Sequence, residues 1–150
     1  MNDNLLEICE FTGIGYKPVI DFGVWRVAIL RYIDEIIPER IEQVERHNET
    51  DEVFVLLEGQ AVLFIADPKS DGANGKETVV ALYPHVMEPK KMYNVKCGAL
   101  HTVVLSRDAS ILLVENRDTA VENSDYLPLN ADLRKILVET SAREISDWRR

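Results

Sequence analysis

Apolar residues in this chain come in short runs cut by turn-forming residues, and the runs between Val24 and Glu115 read as strands. Val24 to Tyr32, Val53 to Leu57, Gln60 to Ala66, Glu77 to Tyr83, Lys91 to Val95, His101 to Ser106 and Ser110 to Glu115 are rich in β-branched, aliphatic and aromatic side chains. Glu58-Gly59, Pro84, Pro89, Gly98 and Arg107-Asp108 punctuate them, and Asp67 to Gly75 gathers enough turn formers to predict an exposed loop. Many short strands at close spacing predict a β-sandwich or barrel. Val24 to Tyr32 is apolar enough to predict burial on both faces, and Trp25, Phe54, Phe64 and Tyr93 are expected in the core or lining a pocket.

Two segments depart from this pattern. Ile33, Ile36, Ile37, Ile41 and Val44 fall on a helical stripe interrupted by Pro38, so propensity alone predicts a helix over Glu39 to Arg46. Beyond residue 130, Leu133, Ile136, Leu137, Thr140 and Trp148 share one helical face and Asn130 is placed to cap it, predicting a helix over about 130–148 on the outside of the barrel or against a second subunit. Gly13-Ile14-Gly15 lacks the third glycine of a phosphate loop and reads as a bend.

A length of 150 residues predicts one domain, 1–150, with a barrel core over about 24–116. The formal charge of −9 repels phosphate backbones and anionic lipid, which argues against nucleic acid and membrane surfaces as partners. No apolar run approaches the roughly 20 residues of a membrane span, and the amino terminus lacks the pattern of a secretory signal. A cytoplasmic protein is expected, with Cys9 and Cys97 as thiols. Asn48-Glu49-Thr50 is then an unused glycosylation pattern, and His85 between Pro84 and Val86 reads as a surface residue.

The chemistry concentrates in Glu45-Arg46-His47-Asn48-Glu49-Thr50-Asp51-Glu52, which runs into an apolar strand closed by Gly59. On an extended chain Glu45 and His47 share one face and Glu52, Phe54 and Leu56 another, so a turn at 48–51 can bring an imidazole and two carboxylates together. That segment resembles the first motif of the cupin superfamily, H-x-H-x(3,4)-E-x(6)-G, with Glu45 in place of the first histidine. Gly98-Ala99-Leu100-His101 resembles the centre of the second motif, G-x(5)-P-x-G-x-x-H-x(3)-N, although Lys90, Lys96 and Leu105 replace its outer positions.

The resemblance implies an all-β cupin-type double-stranded β-helix, a jelly-roll barrel with a C-terminal α-helix, and it makes Gln43 to His47 a strand, against the helix that propensity predicts. It implies a site in which His47, Glu52 and His101 hold a divalent metal (Fe, Mn, Ni or Zn), with Glu45 as catalytic base, fourth ligand or structural neighbour. Phe54 and Tyr93 are the expected ligand-pocket residues, and a homodimer is implied as the assembly. Two functions follow with the choice between enzyme and non-enzyme left open: a metal-dependent enzyme acting on a small polar metabolite such as a sugar or organic acid, or a non-catalytic cupin that binds a small molecule without a functional metal site. A Cys97–His101 nucleophile is disfavoured, because the intervening Gly98 turn breaks the helical spacing that would pair them.

Overall fold

Ten strands and one α-helix form among the residues described by the computed structural model, 5–72 and 74–147. In chain order they are β1 (Tyr16–Phe22), β2 (Trp25–Arg31), β3 (Gln43–His47), β4 (Glu52–Glu58), β5 (Ala61–Ser70), β6 (Glu77–Val86), β7 (Met92–Val95), β8 (Leu100–Leu105), β9 (Ser110–Asn116), β10 (Ser124–Pro128) and α1 (Ala131–Glu144). They make two five-stranded sheets, ordered β1-β2-β9-β4-β7 and β10-β3-β8-β5-β6, with every pairing antiparallel. The order interleaves distant segments, so the two site-bearing stretches become neighbours although 54 positions separate His47 from His101.

The sheets curl over one apolar cluster, with Phe54, Leu56, Leu63, Val103, Leu105, Ile111 and Leu113 facing inward. A second cluster covers the outer side of the second sheet, where Val62, Phe64, Leu100 and Val104 meet Leu133, Leu137 and Ile145 from the helical tail. This explains the unbroken apolar run Ala61-Val62-Leu63-Phe64: the strand is buried on both faces, one against each cluster. β2 behaves differently. Only Ala28 is fully buried, and Trp25 lies 41% exposed at the start of the strand, so the expectation of two-sided burial over Val24 to Tyr32 is corrected.

The conflict over Glu39 to Arg46 resolves against the helix. Ile37 is extended (φ −69°, ψ 147°) before Pro38, a short 3-10 turn occupies Pro38–Arg40, and β3 begins at Gln43. A residue preceding proline is pushed to extended backbone, and the strand then buries Val44 against the helix-covered cluster. The predicted loop at 67–75 is also shorter than expected. β5 continues to Ser70 through a bulge between Asp67 and Pro68, where a missing N–H is tolerated. β6 likewise runs past Tyr83 through Pro84, as an edge strand can.

Strands β1 and β10 flank the predicted 24–116 core. They occupy the outer edges of the two sheets, and β10 aligns Ser124, Tyr126 and Leu127 opposite His47, Glu45 and Val44. Asn130 caps α1, its side chain accepting from the Leu133 amide over 2.9 Å. The helix packs on β5 and β6 of its own chain and buries Leu133, Leu137, Thr140 and Ser141. Ile136 points outward, which corrects its place on the predicted apolar face, and Trp148 lies outside the described residues. No helix among the described residues is long and apolar enough to cross a membrane.

Candidate metal centre

The turn at 48–51 folds β3 and β4 so that His47 and Glu52 face one another, and the pairing of β3 with β8 sets Glu45 opposite His101. The Glu52 carboxylate is buried, and its Oε2 lies 3.0 Å from His101 Nε2 and 3.1 Å from His47 Nε2. The imidazole rings stand edge to face with centroids 5.4 Å apart, and Phe54 meets His101 in the same manner at 5.7 Å.

The hydrogen bonds behind each ring fix its orientation. His101 Nδ1 donates to the Ala99 carbonyl oxygen over 3.0 Å, and a carbonyl oxygen can only accept. The Ser124 hydroxyl donates to the Ala120 carbonyl over 2.7 Å, so at 2.8 Å from His47 Nδ1 it must accept. When neutral, both rings therefore carry their proton on Nδ1 and turn Nε2 inward. Neutral imidazoles so placed aim two nitrogen lone pairs at one carboxylate oxygen, a repulsive arrangement unless a cation, whether proton or metal ion, stands among them.

These residues fit a divalent metal ion. Ligand atoms about 2.1 Å from a shared cation and at right angles are about 3.0 Å apart, close to the spacing of each Nε2 from Oε2. Two overlapping sets have their ligand atoms within 4.8 Å of one another: Glu45, His47 and His101, and His47, Glu52 and Glu115. The cavity around them holds three carboxylates (Glu45, Glu52, Glu115) and one guanidinium (Arg26), so with neutral imidazoles its formal charge matches that of a divalent cation with opposite sign. Neither set contains His47, Glu52 and His101 together, but the 3.1 and 3.0 Å approaches of the two Nε2 atoms to Glu52 Oε2 keep these three as ligand candidates, with Glu45 and Glu115 beside them.

Electrostatics distinguishes the three carboxylates. Burial raises the Glu45 pKa above the ordinary carboxylate value, against the lowering influence of His101 and His47. Burial also opposes ionisation of Glu52, but the hydrogen bonds and charge of His101 and His47, once each is protonated on Nε2 as well, prevail and hold its pKa down. Glu115 is engaged otherwise: Arg26 Nε and Nη2 donate to its Oε1 over 3.1 and 2.8 Å, and the Tyr16 hydroxyl donates to the same oxygen over 2.6 Å. Burial and that hydrogen bond drive the Tyr16 pKa well up, so its hydroxyl stays a donor.

The centre lines a cavity of about 350 Å³. Phe54, Leu30, Ile36 and Leu113 give it apolar walls, while Tyr16, Ser124 and Tyr126 carry hydroxyls. Tyr93 is placed elsewhere: it faces Phe54 across β4 and β7, but its hydroxyl accepts from the Glu88 amide over 2.9 Å and it does not line this cavity. Sequence reasoning missed Tyr16, Arg26, Glu115, Ser124 and Tyr126. A signal existed for the ion pair, since Arg26 and Glu115 interrupt otherwise apolar runs and become register partners on β2 and β9.

Two curled antiparallel sheets, the motif residues on adjoining strands around an interior cavity, and a closing helix give this chain the cupin jelly-roll fold. No protein-family model matches the chain, and no curated protein matches its sequence. Among solved structures, the Staphylococcus aureus capsular polysaccharide assembling protein CapF with 3-isopropenyl-tropolone is similar at a TM-score of 0.50 and 11% identity, over 80% of this chain and 34% of that one. This chain thus spans about a third of CapF. A cupin-2 domain protein from Shewanella frigidimarina gives a TM-score of 0.45 at 16% identity, covering 71% of this chain and 85% of that one. Pac13, described as a unique nucleoside dehydratase, gives 0.47 at 8% identity, covering 81% and 86%. At such identities the likeness concerns fold alone.

Proposed function

We propose that this chain is a metal-dependent cupin enzyme that acts on a small polar metabolite, a sugar or an organic acid, inside the barrel. The observation that carries the reading is the convergence of two inward-turned imidazole nitrogens on one oxygen of a buried carboxylate. His47, Glu52 and His101 would hold the ion, and Fe, Mn, Ni and Zn all suit two imidazoles and a carboxylate. When bound, the ion supplies Lewis acidity that polarises a carbonyl or hydroxyl oxygen.

The protein's own groups do the rest. Glu45 stands opposite His101 with a raised pKa, which favours a carboxylate that takes a proton from a bound ligand and returns it. Phe54 and the neighbouring aliphatic side chains exclude water from the cavity, and the hydroxyl of Tyr126 offers a hydrogen bond to a polar ligand. The exposed Phe22, Val24 and Trp25 near the β1 edge support a homodimer, which light scattering in solution tests. The exposed free thiols of Cys9 and Cys97 suit a reducing cytoplasm.

Metal content tests the central reading. Protein prepared without chelator or nickel resin should contain stoichiometric metal, and the double variant His47→Ala, His101→Ala should contain none. Absence of metal in the wild type, with a melting temperature indifferent to Fe, Mn, Ni and Zn, supports instead a binding module without a functional metal site. Glu45→Gln should retain the metal and lose turnover of any substrate found.

A further inference from the structure

We infer that Ser124 is a positioning residue for the metal centre, one that holds His47 in the tautomer able to ligate. The inference rests on the metal-binding reading above. A histidine can present Nε2 to a cation only when that nitrogen is unprotonated, and the neutral ring chooses between its two nitrogens according to what each one meets. At His47 the choice is made from behind. The Ser124 hydroxyl has a single hydrogen, committed to the Ala120 carbonyl over 2.7 Å, so its lone pair faces His47 Nδ1 at 2.8 Å. This favours a proton on Nδ1 and leaves Nε2 bare.

The same role is filled at His101 by a main-chain group, the Ala99 carbonyl, which no substitution at position 99 removes. The two ligands are thus oriented by unequal means, and only His47 depends on a side chain. Strand pairing does not require that side chain: β10 and β3 are joined through their backbones, with Ser124 in register with His47 and the Asn48 amide donating to the Asn123 carbonyl over 3.0 Å. Removing the hydroxyl should therefore disturb the ring and spare the sheet.

The test combines two readouts on Ser124→Ala and Ser124→Thr. Nitrogen NMR of the metal-free protein, at a pH where the rings are neutral, reports the tautomer of each histidine, and competition with a chromophoric chelator reports affinity for Zn²⁺. In Ser124→Ala the Nδ1–H form of His47 should lose its dominance while that of His101 is unchanged, and Zn²⁺ affinity should fall about 10- to 100-fold. Ser124→Thr, which restores the hydroxyl, should recover both. If Ser124→Ala does not fold, Ser124→Cys keeps the volume with a poor acceptor and carries the same comparison. An unchanged His47 tautomer, or a changed tautomer with unaltered Zn²⁺ affinity, overturns the inference. A wild-type protein that binds no Zn²⁺ or other divalent ion sinks the metal reading instead, and the tautomer comparison still decides what Ser124 does to the ring.

Discussion

The amide of Gly98 donates to the carbonyl oxygen of His47 over 2.8 Å, which fastens the segment before β8 to the end of β3. Beside it, Asp51 Oδ1 accepts from the Cys97 amide over 2.8 Å, and its Oδ2 accepts from Asn94 and Lys96. These bonds, led by Lys96, lower the Asp51 pKa to about 2. A carboxylate held low adds stability above its unfolded value, near 3.8, and loses that contribution as pH falls toward about 2. Asp51→Asn should therefore lower the melting temperature at neutral pH and shrink its difference from wild type on acidification. A difference independent of pH would contradict this.

Both motif glycines have left-handed backbones, but for different surroundings. At Gly98 (φ +78°) an added Cβ meets nothing within 4 Å, whereas at Gly59 (φ +72°) it would lie 2.6 Å from the Ala109 Cα. Gly98→Ala should cost about 1–2 kcal/mol from backbone strain alone. Gly59→Ala should cost about 1–3 kcal/mol more, because backbone must move. Urea titration of the two variants measures the gap, and equal losses would count against the close approach.

The Glu52 cluster makes stability depend on pH in a metal-sensitive way. Burial opposes every charge there, yet Glu52 holds both imidazoles above their ordinary 6.5 while they hold its own pKa below 4.5. The carboxylate contribution is lost as pH drops through the lowered value, and the imidazolium contribution is lost as pH rises through the raised ones. With chelator present, melting temperature should carry a maximum between about pH 4.5 and 6.5 from this cluster. Glu52→Gln should flatten it. Divalent metal should stabilise increasingly as pH rises, since ion and protons compete for the same Nε2 atoms.

Arg26 and Glu115 form a poorly exposed pair, with side chains 15% and 4% accessible. Arg26→Ala strands a buried carboxylate and should destabilise by about 3–5 kcal/mol. Tyr16→Phe removes one hydrogen bond to the same carboxylate and should cost about 1.5–3 kcal/mol. Reversible denaturation orders the two. Equal or negligible effects would mean that Glu115 is stabilised by other means.

The orientation of α1 predicts opposite outcomes for adjacent residues. Leu137 is fully buried and Ile136 is 44% exposed. Leu137→Ala should cost about 2–5 kcal/mol and Ile136→Ala no more than about 0.5 kcal/mol. A reversal would show the helix rotated on its axis.

The strands from β4 to β9 were legible because each needs an apolar face and ends at a residue that turns the chain. β1 and β10 were not: as edge strands they are half exposed and carry Lys17, Asp21 and Asp125, so their composition resembles loops. The helix that propensity alone favours at 39–46 yields to packing, and the strand implied by the motif resemblance forms with Val44 buried in the core. Within the cavity, the candidates His47, Glu52 and His101 come from the motif resemblance, whereas Ser124 and Tyr126 are invisible without the register of β10 on β3. Tyr93 is a pocket candidate on its position in the sequence alone. Its hydroxyl is spent on the Glu88 amide instead.

Within the second sheet, β3 touches β8 through a single register pair, Glu45 with His101, while β8 and β5 share six. That junction is a seam, and the candidate ligands lie along both of its lips. A cation gripped by His47 from one side and His101 from the other would act as a clasp, so amide exchange across Gln43–His47 should slow on metal addition far more than exchange in the well-paired β5.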